Sequence, residues 1–245
     1  MGDSKETEVK RDLASGMKRR EKFECEEMIK MISGVPYRAN VPQLEAGRRE
    51  AFALTEFFNR MPVRQAEKSS PLVSGSESPL TLSLSFSSPA EIKEAEDVMK
   101  EERGEREMIL GSLFGGMGEG VEIVPPFRCD YGFNTFLGDR VYLNYDCIFL
   151  DVAPIRVGDG TKFGPGVHLY TAGHIIDPSR RADLEEFGKE IRIGSNVWVG
   201  GRVVVLPGVT IGDNSVIGAG SVVTKDVPSN VIAVGSPCKV VKEIR

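Results

Sequence analysis

The stretch Ile193–Val227, IGSNVWVGGRVVVLPGVTIGDNSVIGAGSVVTKDV, decides the fold of this chain. Within it an aliphatic residue returns at every sixth position, at Ile193, Val199, Val205, Ile211, Ile217 and Val223. A period of six matches neither an α-helix, with 3.6 residues per turn, nor an alternating strand, with a period of two. Short strands joined by tight corners produce it. The stretch therefore predicts a parallel β-helix with three faces, in which three six-residue units complete one coil of about eighteen residues.

The same period begins earlier in the chain, which extends the predicted coil toward the N-terminus. Its inward positions there are Leu137, Leu143, Phe149, Val157, Phe163 and Leu169. The letters VAPI at 152–155 shift the phase by two residues. Between 171 and 190 the spacing continues, but charged side chains crowd the segment and Arg181 falls on an inward position. This segment is predicted to be an excursion from the coil.

Composition limits the class of protein. Aromatic residues make up 7% of the chain and glycines number 27, which suits a solenoid filled by small aliphatic side chains. The formal net charge is -5, whereas nucleic-acid-binding domains usually carry a strong basic excess. No apolar run is long enough to span a bilayer, and the polar start MGDSKETEVKRDL does not have the pattern of a secretory signal. We expect a cytoplasmic protein whose partners are neither nucleic acid nor membrane.

The cysteines give no sign of a metal site or a disulfide framework. Cys25, Cys129, Cys147 and Cys238 form no CxxC pair, and no histidine cluster lies near them in the sequence. Reduced thiols and no bound metal are therefore expected.

The chain before the repeats shows helical periodicity. Apolar residues recur at helical spacings over 21–33 and again from Pro42 to Met61. Two short amphipathic helices cannot form a core of their own, so we expect a small helical hairpin packed on another part of the chain. Residues 64–91 are rich in Ser and Pro and indicate a flexible linker, with an edge strand over LTLSLSF as the alternative. The many charged residues over 90–113 predict a helix that is exposed to solvent.

The predicted organisation has four parts. These are a disordered tail over 1–20, a helical region over 21–62, a Ser/Pro-rich linker with a charged helix over 63–107, and the β-helix over 108–245.

Five segments together resemble one enzyme family. They are FECEEMIKMISGVPYR at 23–38, PPFRCDYG at 125–132, LNYDCIFLDVAPI at 143–155, YTAGH at 170–174 and NVWVGGRVVVLPGVTIGDNSVIGAGSVVTKDVP at 196–228. In combination they are similar to the maltose and galactoside O-acetyltransferases, over about residues 21–61 and 108–245. The resemblance implies a mainly β fold, a left-handed parallel β-helix, and a homotrimer with active sites between subunits. It also implies acetyl transfer from acetyl-CoA to a sugar hydroxyl. The left hand comes from the resemblance alone, since crossovers between parallel strands are almost always right-handed.

The resemblance assigns the catalytic base to His174. The reaction needs a group that removes a proton from a hydroxyl as that hydroxyl attacks a thioester carbonyl. A free imidazole has a pKa of about 6.5, so it is mostly neutral at pH 7 and can accept the proton. A structural hydrogen-bonding role is the alternative for a lone histidine. Glu186 is our candidate for the carboxylate that orients the ring, with Glu185 or Asp177 as alternatives.

The resemblance also implies where the substrates bind. Asn144 and Asp151 match positions that face the acceptor sugar, although both could instead be turn residues that satisfy corner amides. Tyr37 belongs to the N-terminal region expected on the acceptor side. The residues expected to bind the acetyl-CoA donor are Trp198, Gly201, Ala219, Thr224, Lys225, Lys239 and Lys242, with the Gly201 N–H as oxyanion donor.

Two residues depart from the family pattern. Ile175 replaces the usual proline after TAGH, which is expected to loosen the loop that holds the base. Arg38 replaces the usual aspartate after Tyr37, which leaves the identity of the acceptor open.

Two other functions could use the same coil. A trimeric carbonic anhydrase needs three histidines from two subunits, whereas this chain has only His168 and His174. A non-catalytic trimeric scaffold is the second alternative. Within the acetyltransferase interpretation, an acyl-enzyme on Cys147 is disfavoured because that residue occupies a small inward position of the repeat. We therefore predict direct transfer in a ternary complex.

Overall fold

The computed structural model describes residues 18–61, 89–182 and 185–244. The Ser/Pro-rich segment predicted over 64–91, including the alternative strand LTLSLSF, lies outside the described residues except at its last three positions. Residues 18–22 are helical, and the buried Arg19 donates through Nη1 to the Leu113 carbonyl at 2.8 Å. Packing against the rest of the protein therefore begins before residue 21, inside the span predicted as a disordered tail.

The elements that follow residues 18–22 are mostly helical. They are α1 (Glu26–Ile32), β1 (Tyr37–Arg38), α2 (Pro42–Arg60) and α3 (Pro89–Leu113). Pro42 begins α2, where a missing N–H leaves no hydrogen bond unmade. Both α1 and α2 lie where the apolar spacing predicts them, and Met31 and Leu44 are fully buried in a cluster with Tyr131 and Phe133 of the coil. The predicted N-terminal helical region is thus present and packs on the coil.

Helix α3 leads into the first coil and covers its N-terminal end. Leu113 of α3 and the following Phe114 are buried in the main core. The Phe114 ring lies 5.7 Å from that of Phe127, and α2 adds Ala51 and Phe58 to the same core. None of the helices in the described part of the chain is long and apolar enough to cross a bilayer.

The body of the protein is a parallel β-helix with three faces, as predicted. Face 1 contains β2 (Gly116–Met117), β5 (Thr135–Leu137), β8 (Ile155–Val157), β13 (Ile191–Ile193) and β16 (Thr210–Ile211). Face 2 contains β3 (Glu122–Ile123), β6 (Tyr142–Leu143), β9 (Lys162–Phe163), β14 (Trp198–Val199), β17 (Val216–Ile217), β19 (Val231–Val234) and the antiparallel β20 (Lys239–Glu243). Face 3 contains β4 (Phe127–Cys129), β7 (Cys147–Leu150), β10 (His168–Tyr170), β15 (Val204–Val205) and β18 (Val222–Val223). The hand of the coil stays a prediction from the resemblance.

The coils have three lengths, and the last is the shortest, because Ile217 pairs with Ala233 sixteen residues on. In the C-terminal half Ile193 pairs with Ile211, eighteen residues on, as predicted. In the N-terminal half Leu137 pairs with Val157, so one coil there takes twenty residues. The prediction of eighteen is wrong for this half, because the corners between faces 3 and 1 hold two extra residues. The phase shift at 152–155 is one of these longer corners.

In the C-terminal coils, the corners between faces 1 and 2 are built from a ladder of asparagines, whereas Gly120, Arg140 and Gly160 occupy this position in the N-terminal coils. Asn196, Asn214 and Asn230 have positive φ angles of 53°, 58° and 59°, a conformation that asparagine tolerates better than most residues. Each amide donates to the next, at 3.0 Å from Asn196 to Asn214 and at 2.9 Å from Asn214 to Asn230. The six-residue repeat is therefore stabilised at its corners as well as in its core.

The segment between 171 and 190 is an excursion, as predicted. It forms β11 (Ala172–His174), the short helix α4 (Pro178–Ala182) and β12 (Glu185–Gly188). The strands β11 and β12 pair antiparallel, and β1 adds to β12 as a third strand. The coil continues past the excursion without a missing rung, because Val157 of β8 pairs directly with Ile193 of β13.

Candidate active site

The predicted base, His174, ends β11 on the excursion and is exposed to solvent. The residue before it, Gly173, lies against the ring of Phe187, which would overlap a side chain at that position. On the neighbouring strand, Gly188 leaves room for the Met31 carbonyl and for Ala153. These glycines let the hairpin lie close to the coil and to α1, so the histidine is presented on a packed support.

Tyr37, Glu186 and His174 form one row across the three-stranded sheet. In the register, Glu186 of β12 is directly opposite both His174 of β11 and Tyr37 of β1. Directly opposite residues place their side chains on the same face of a sheet, with Cβ atoms about 5 Å apart. The Tyr37 hydroxyl donates to Glu186 Oε2 at 3.0 Å. The structure thus places Glu186, the predicted orienting group, opposite His174 and adds Tyr37, predicted only for the acceptor side, to the same row.

The two alternative carboxylates are placed differently. Glu185 is opposite Arg38 in the register, so both side chains lie on the other face of the sheet from His174. Asp177 accepts hydrogen bonds from the Ser179 N–H at 2.9 Å and from its hydroxyl at 2.6 Å. The register therefore favours Glu186 as the orienting group. Arg38, which departs from the family pattern, also lies on the other face of the sheet and so adds no charge to the face that carries His174.

A second acidic group, Asp130, lies next to this row. Burial raises the pKa of the Asp130 carboxyl to about 6, the positive charge of Arg48 opposes the shift, and the charge of Glu186 adds to it. Arg48 donates to the Tyr131 hydroxyl at 2.6 Å and to the Ala39 carbonyl at 2.8 Å. Asp130 belongs to the motif PPFRCDYG, which predicted the family but no role for this residue. That motif was the one signal that could have found it.

The predicted acceptor residue Asp151 is fully buried. Its carboxylate accepts from the Tyr131 N–H at 2.8 Å and from the Thr135 hydroxyl at 3.1 Å. Burial raises its pKa to about 7. In the single chain Asp151 therefore has the role of a corner residue that satisfies backbone amides, the alternative stated from the sequence.

Asn144 and His174 lie at opposite edges of face 3. Asn144 follows β6 at the corner between faces 2 and 3, where its side-chain oxygen accepts the Tyr145 N–H at 2.8 Å. The excursion that carries His174 leaves from the corner between faces 3 and 1. A face-3 strand such as Cys147–Leu150, about 13 Å long at ~3.3 Å per residue, separates the two corners. One chain does not bring these two predicted site residues together.

The face between these corners has a cavity. It has a volume of about 530 Å³ and lies beside Asn144, with Tyr145, Pro165, His168 and Arg202 among its lining residues. The His168 Nδ1 atom is 2.6 Å from the Tyr170 hydroxyl. The two histidines therefore have separate environments, and no group of three potential metal ligands occurs in the described part of the chain.

The predicted acetyl-CoA residues lie in three places, which are the two edges of face 3 and the surface of face 2. Gly201 and Ala219 lie at the corner between faces 2 and 3, whereas Thr224 and Lys225 are exposed at the corner between faces 3 and 1. Trp198, 61% exposed, lies on face 2. Lys239 and Lys242 are exposed in β20, and Lys242 continues the row of Trp198, Val216 and Ile232. The single chain therefore does not bring all of the predicted acetyl-CoA residues together.

Cys147 has the inward position predicted for it. Its thiol is buried, and burial raises its pKa to about 11, so the thiol stays protonated and is a poor nucleophile.

Known families match both halves of the described structure. Residues 190–225 match the family described as bacterial transferase hexapeptide (six repeats), and residues 30–118 match the maltose acetyltransferase hexapeptide capping motif. The galactoside O-acetyltransferase of Escherichia coli is 44% identical over 139 residues, which are 57% of this chain and 68% of that protein.

Solved structures have the same architecture. A maltose O-acetyltransferase from Clostridium difficile superposes with a TM-score of 0.74 and 40% identity, covering 90% of this chain and 98% of the other. A hexapeptide-repeat acetyltransferase from Vibrio cholerae, solved with acetyl coenzyme A, gives a TM-score of 0.69 and 30% identity, covering 90% and 100% of the two chains.

The six-residue coil, the excursion with its exposed histidine and the helical cap together define a hexapeptide-repeat acetyltransferase. Relatives with 40% and 44% identity are covered over 98% and 68% of their own length. The chain therefore belongs to the family of maltose and galactoside O-acetyltransferases, and the resemblance inferred from its sequence is confirmed.

Proposed function

We propose that this protein transfers an acetyl group from acetyl-CoA to a hydroxyl of a sugar such as maltose, glucose or a galactoside. The observation that carries the proposal is an exposed His174 directly opposite Glu186, on the one excursion from the described coil. The relatives support the substrates: they include a galactoside and a maltose O-acetyltransferase, and one relative was solved with acetyl coenzyme A.

In the proposed reaction His174 removes the proton from the acceptor hydroxyl as its oxygen attacks the thioester carbonyl carbon. The carbonyl oxygen becomes an oxyanion, which the Gly201 N–H stabilises by a hydrogen bond. Collapse of the tetrahedral intermediate breaks the carbon–sulfur bond, and the protonated His174 returns the proton to the departing thiolate. Glu186 orients the imidazole and stabilises its charged form.

We further propose a homotrimer with its active sites between subunits. Two observations support it. Asn144 and His174 lie at opposite edges of face 3, so a second copy is needed to unite them. Ile176, two residues beyond the base, is 91% exposed, and a neighbouring subunit would cover its apolar side chain.

We infer a cytoplasmic location. The four cysteines are all free, and reducing conditions keep such thiols from pairing.

A screen of sugar acceptors with acetyl-CoA, followed by detection of the released coenzyme A thiol, tests the proposal. Thiol release that depends on both substrates, with an acetylated sugar as product, is the expected result. The non-catalytic scaffold predicts no transfer to any sugar and no binding of acetyl-CoA by calorimetry. Stoichiometric zinc in the purified protein would instead favour the carbonic anhydrase alternative.

A further inference from the structure

The strand β1 connects the N-terminal helical region to the hairpin that carries His174. Tyr37 and Arg38 pair antiparallel with Glu186 and Glu185 of β12, whose other side pairs with β11. The hairpin would otherwise expose β12 as an edge strand. The segment that contains Tyr37, although far away in the sequence, therefore pairs with the strand that carries Glu186, the carboxylate opposite the proposed base.

Tyr37 is well suited to hold that carboxylate in one place. Its ring is buried in the cluster with Met31, Leu44 and Tyr131, so packing fixes both side-chain torsions and thereby the position of the hydroxyl. Burial and the nearby charge of Glu186 raise the pKa of the Tyr37 hydroxyl well above its usual value of about 10. The hydroxyl therefore stays protonated near neutral pH and can donate to Glu186.

The charges around Glu186 explain why such a donor is needed. The Asp130 carboxyl, at the corner after β4, interacts electrostatically with Glu186 with like sign. Repulsion between two carboxylates would turn Glu186 away from its position. The Arg48 guanidinium, on α2, donates hydrogen bonds to the Tyr131 hydroxyl and to the Ala39 carbonyl. The Tyr37 hydroxyl, at 3.0 Å, is the neutral group that attracts Glu186 from the side opposite to His174.

We infer that Tyr37 is a positioning residue of this enzyme: its hydroxyl holds Glu186 in the orientation in which Glu186 aligns His174. The inference rests on the proposed role of His174 as the base. It gives Tyr37 a different task from the acceptor contact that the family resemblance implies, because a residue that acts through Glu186 affects turnover and not acceptor binding.

The substitution Tyr37→Phe tests the inference because it keeps the buried ring and removes only the hydroxyl. We expect kcat to fall about tenfold, since a base that is less well aligned transfers the proton more slowly. The KM values for acetyl-CoA and for the acceptor should change less than about twofold. Active sites are counted by acetyl-CoA binding, so that kcat refers to folded protein even if the yield falls.

Tyr131→Phe is the matched control. Tyr131 is a buried tyrosine of the same cluster whose hydroxyl bonds to Arg48 instead of Glu186. Its kcat should stay within about twofold of the wild-type value. Equal losses of kcat in the two variants would show that any loss of packing or polarity in the cluster slows the enzyme, and would overturn the positioning role.

A double-mutant cycle with Glu186→Ala shows whether Tyr37 acts through Glu186. The double variant should be no slower than Glu186→Ala alone, because that background has no carboxylate for the Tyr37 hydroxyl to hold. Independent, multiplying losses would contradict the inference. A raised acceptor KM with unchanged kcat in Tyr37→Phe would assign Tyr37 to acceptor binding instead.

The variant His174→Ala distinguishes a failure of the proposed function from a failure of the positioning role of Tyr37. If it keeps substantial activity, the proposed base is wrong. If it is inactive while Tyr37→Phe turns over at the wild-type rate, the proposed function stands and only the positioning role of Tyr37 fails.

Discussion

At the scale of single residues, Asp151 places a carboxyl in the interior of the corner between faces 3 and 1. Two donors, the Tyr131 N–H and the Thr135 hydroxyl, offset only part of the cost of burying the carboxylate. The pKa of Asp151 is therefore still raised to about 7. The buried Asp151 carboxyl therefore makes the stability of the protein depend on pH.

The sign of this dependence follows from the direction of the shift. In the unfolded chain Asp151 ionises near pH 3.9, whereas in the folded protein it holds its proton up to about pH 7. Its contribution to stability is therefore complete below about pH 4 and is lost as the pH rises to about 7, by up to ~1.4 kcal/mol per pH unit.

Asp151→Asn removes this group while keeping its shape. The melting temperature of the variant relative to the wild type should rise between pH 5 and about pH 7.5, as followed by thermal unfolding at a series of pH values. A difference that stays constant over this range would contradict the account of the corner.

At the scale of the elements, neighbouring coils approach so closely that side chains are excluded at certain corners. A Cβ on Gly200 would lie 2.5 Å from the backbone nitrogen of Ala219 in the next coil. In α3, by contrast, a Cβ on Gly104 would meet nothing within 4 Å. The same chemical change should therefore have opposite effects in the two elements.

Gly200→Ala should lower the free energy of unfolding, by more than about 1 kcal/mol, because backbone atoms of two coils must separate. Gly104→Ala, the matched control, should raise it by about 0.5–1 kcal/mol, because alanine loses less conformational freedom in a helix. Denaturant titrations of the two variants measure both values. Loss of stability in Gly104→Ala, or none in Gly200→Ala, would contradict the packing described here.

The elements differ in how far they could be predicted. The six-residue period is local, and it predicted the coil and its interruption at 171–190. The helices α1 and α2 followed from apolar spacing. The pairing of Tyr37 with Glu186 joins positions 149 residues apart, so no local pattern could show it. The sequence showed the phase shift of two residues at 152–155, but one such corner could not show that each coil of the N-terminal half takes twenty residues.

At the scale of the whole molecule, the predicted site residues are divided between the edges of face 3. The family motifs name Asn144, His174, Gly201 and Lys225 as expected site residues, but they carry no information on which edge each one occupies. Their separation is a consequence of the coil's geometry. A site built from both edges needs two copies of the chain, which the proposed trimer provides.

Mixed trimers test this arrangement. His174→Ala and Asn144→Ala, each inactive alone, should regain activity when co-expressed with different tags and purified as mixed assemblies. In every mixed trimer one of the three sites shared by adjacent subunits has both residues intact, so about a third of the wild-type activity should return. Sedimentation of the wild-type protein should give the mass of three chains. No recovery of activity in mixed assemblies would place both residues in the same subunit's site.

The central claim is that His174 is the base in acetyl transfer from acetyl-CoA. The most direct measurement compares wild type and His174→Ala for the rate of acetyl transfer to the best sugar acceptor and, by calorimetry, for the affinity of acetyl-CoA. We predict that kcat falls by at least ~10²-fold, the contribution of a general base, while the dissociation constant of acetyl-CoA changes less than about twofold. Substantial turnover by His174→Ala with intact acetyl-CoA binding would contradict the claim.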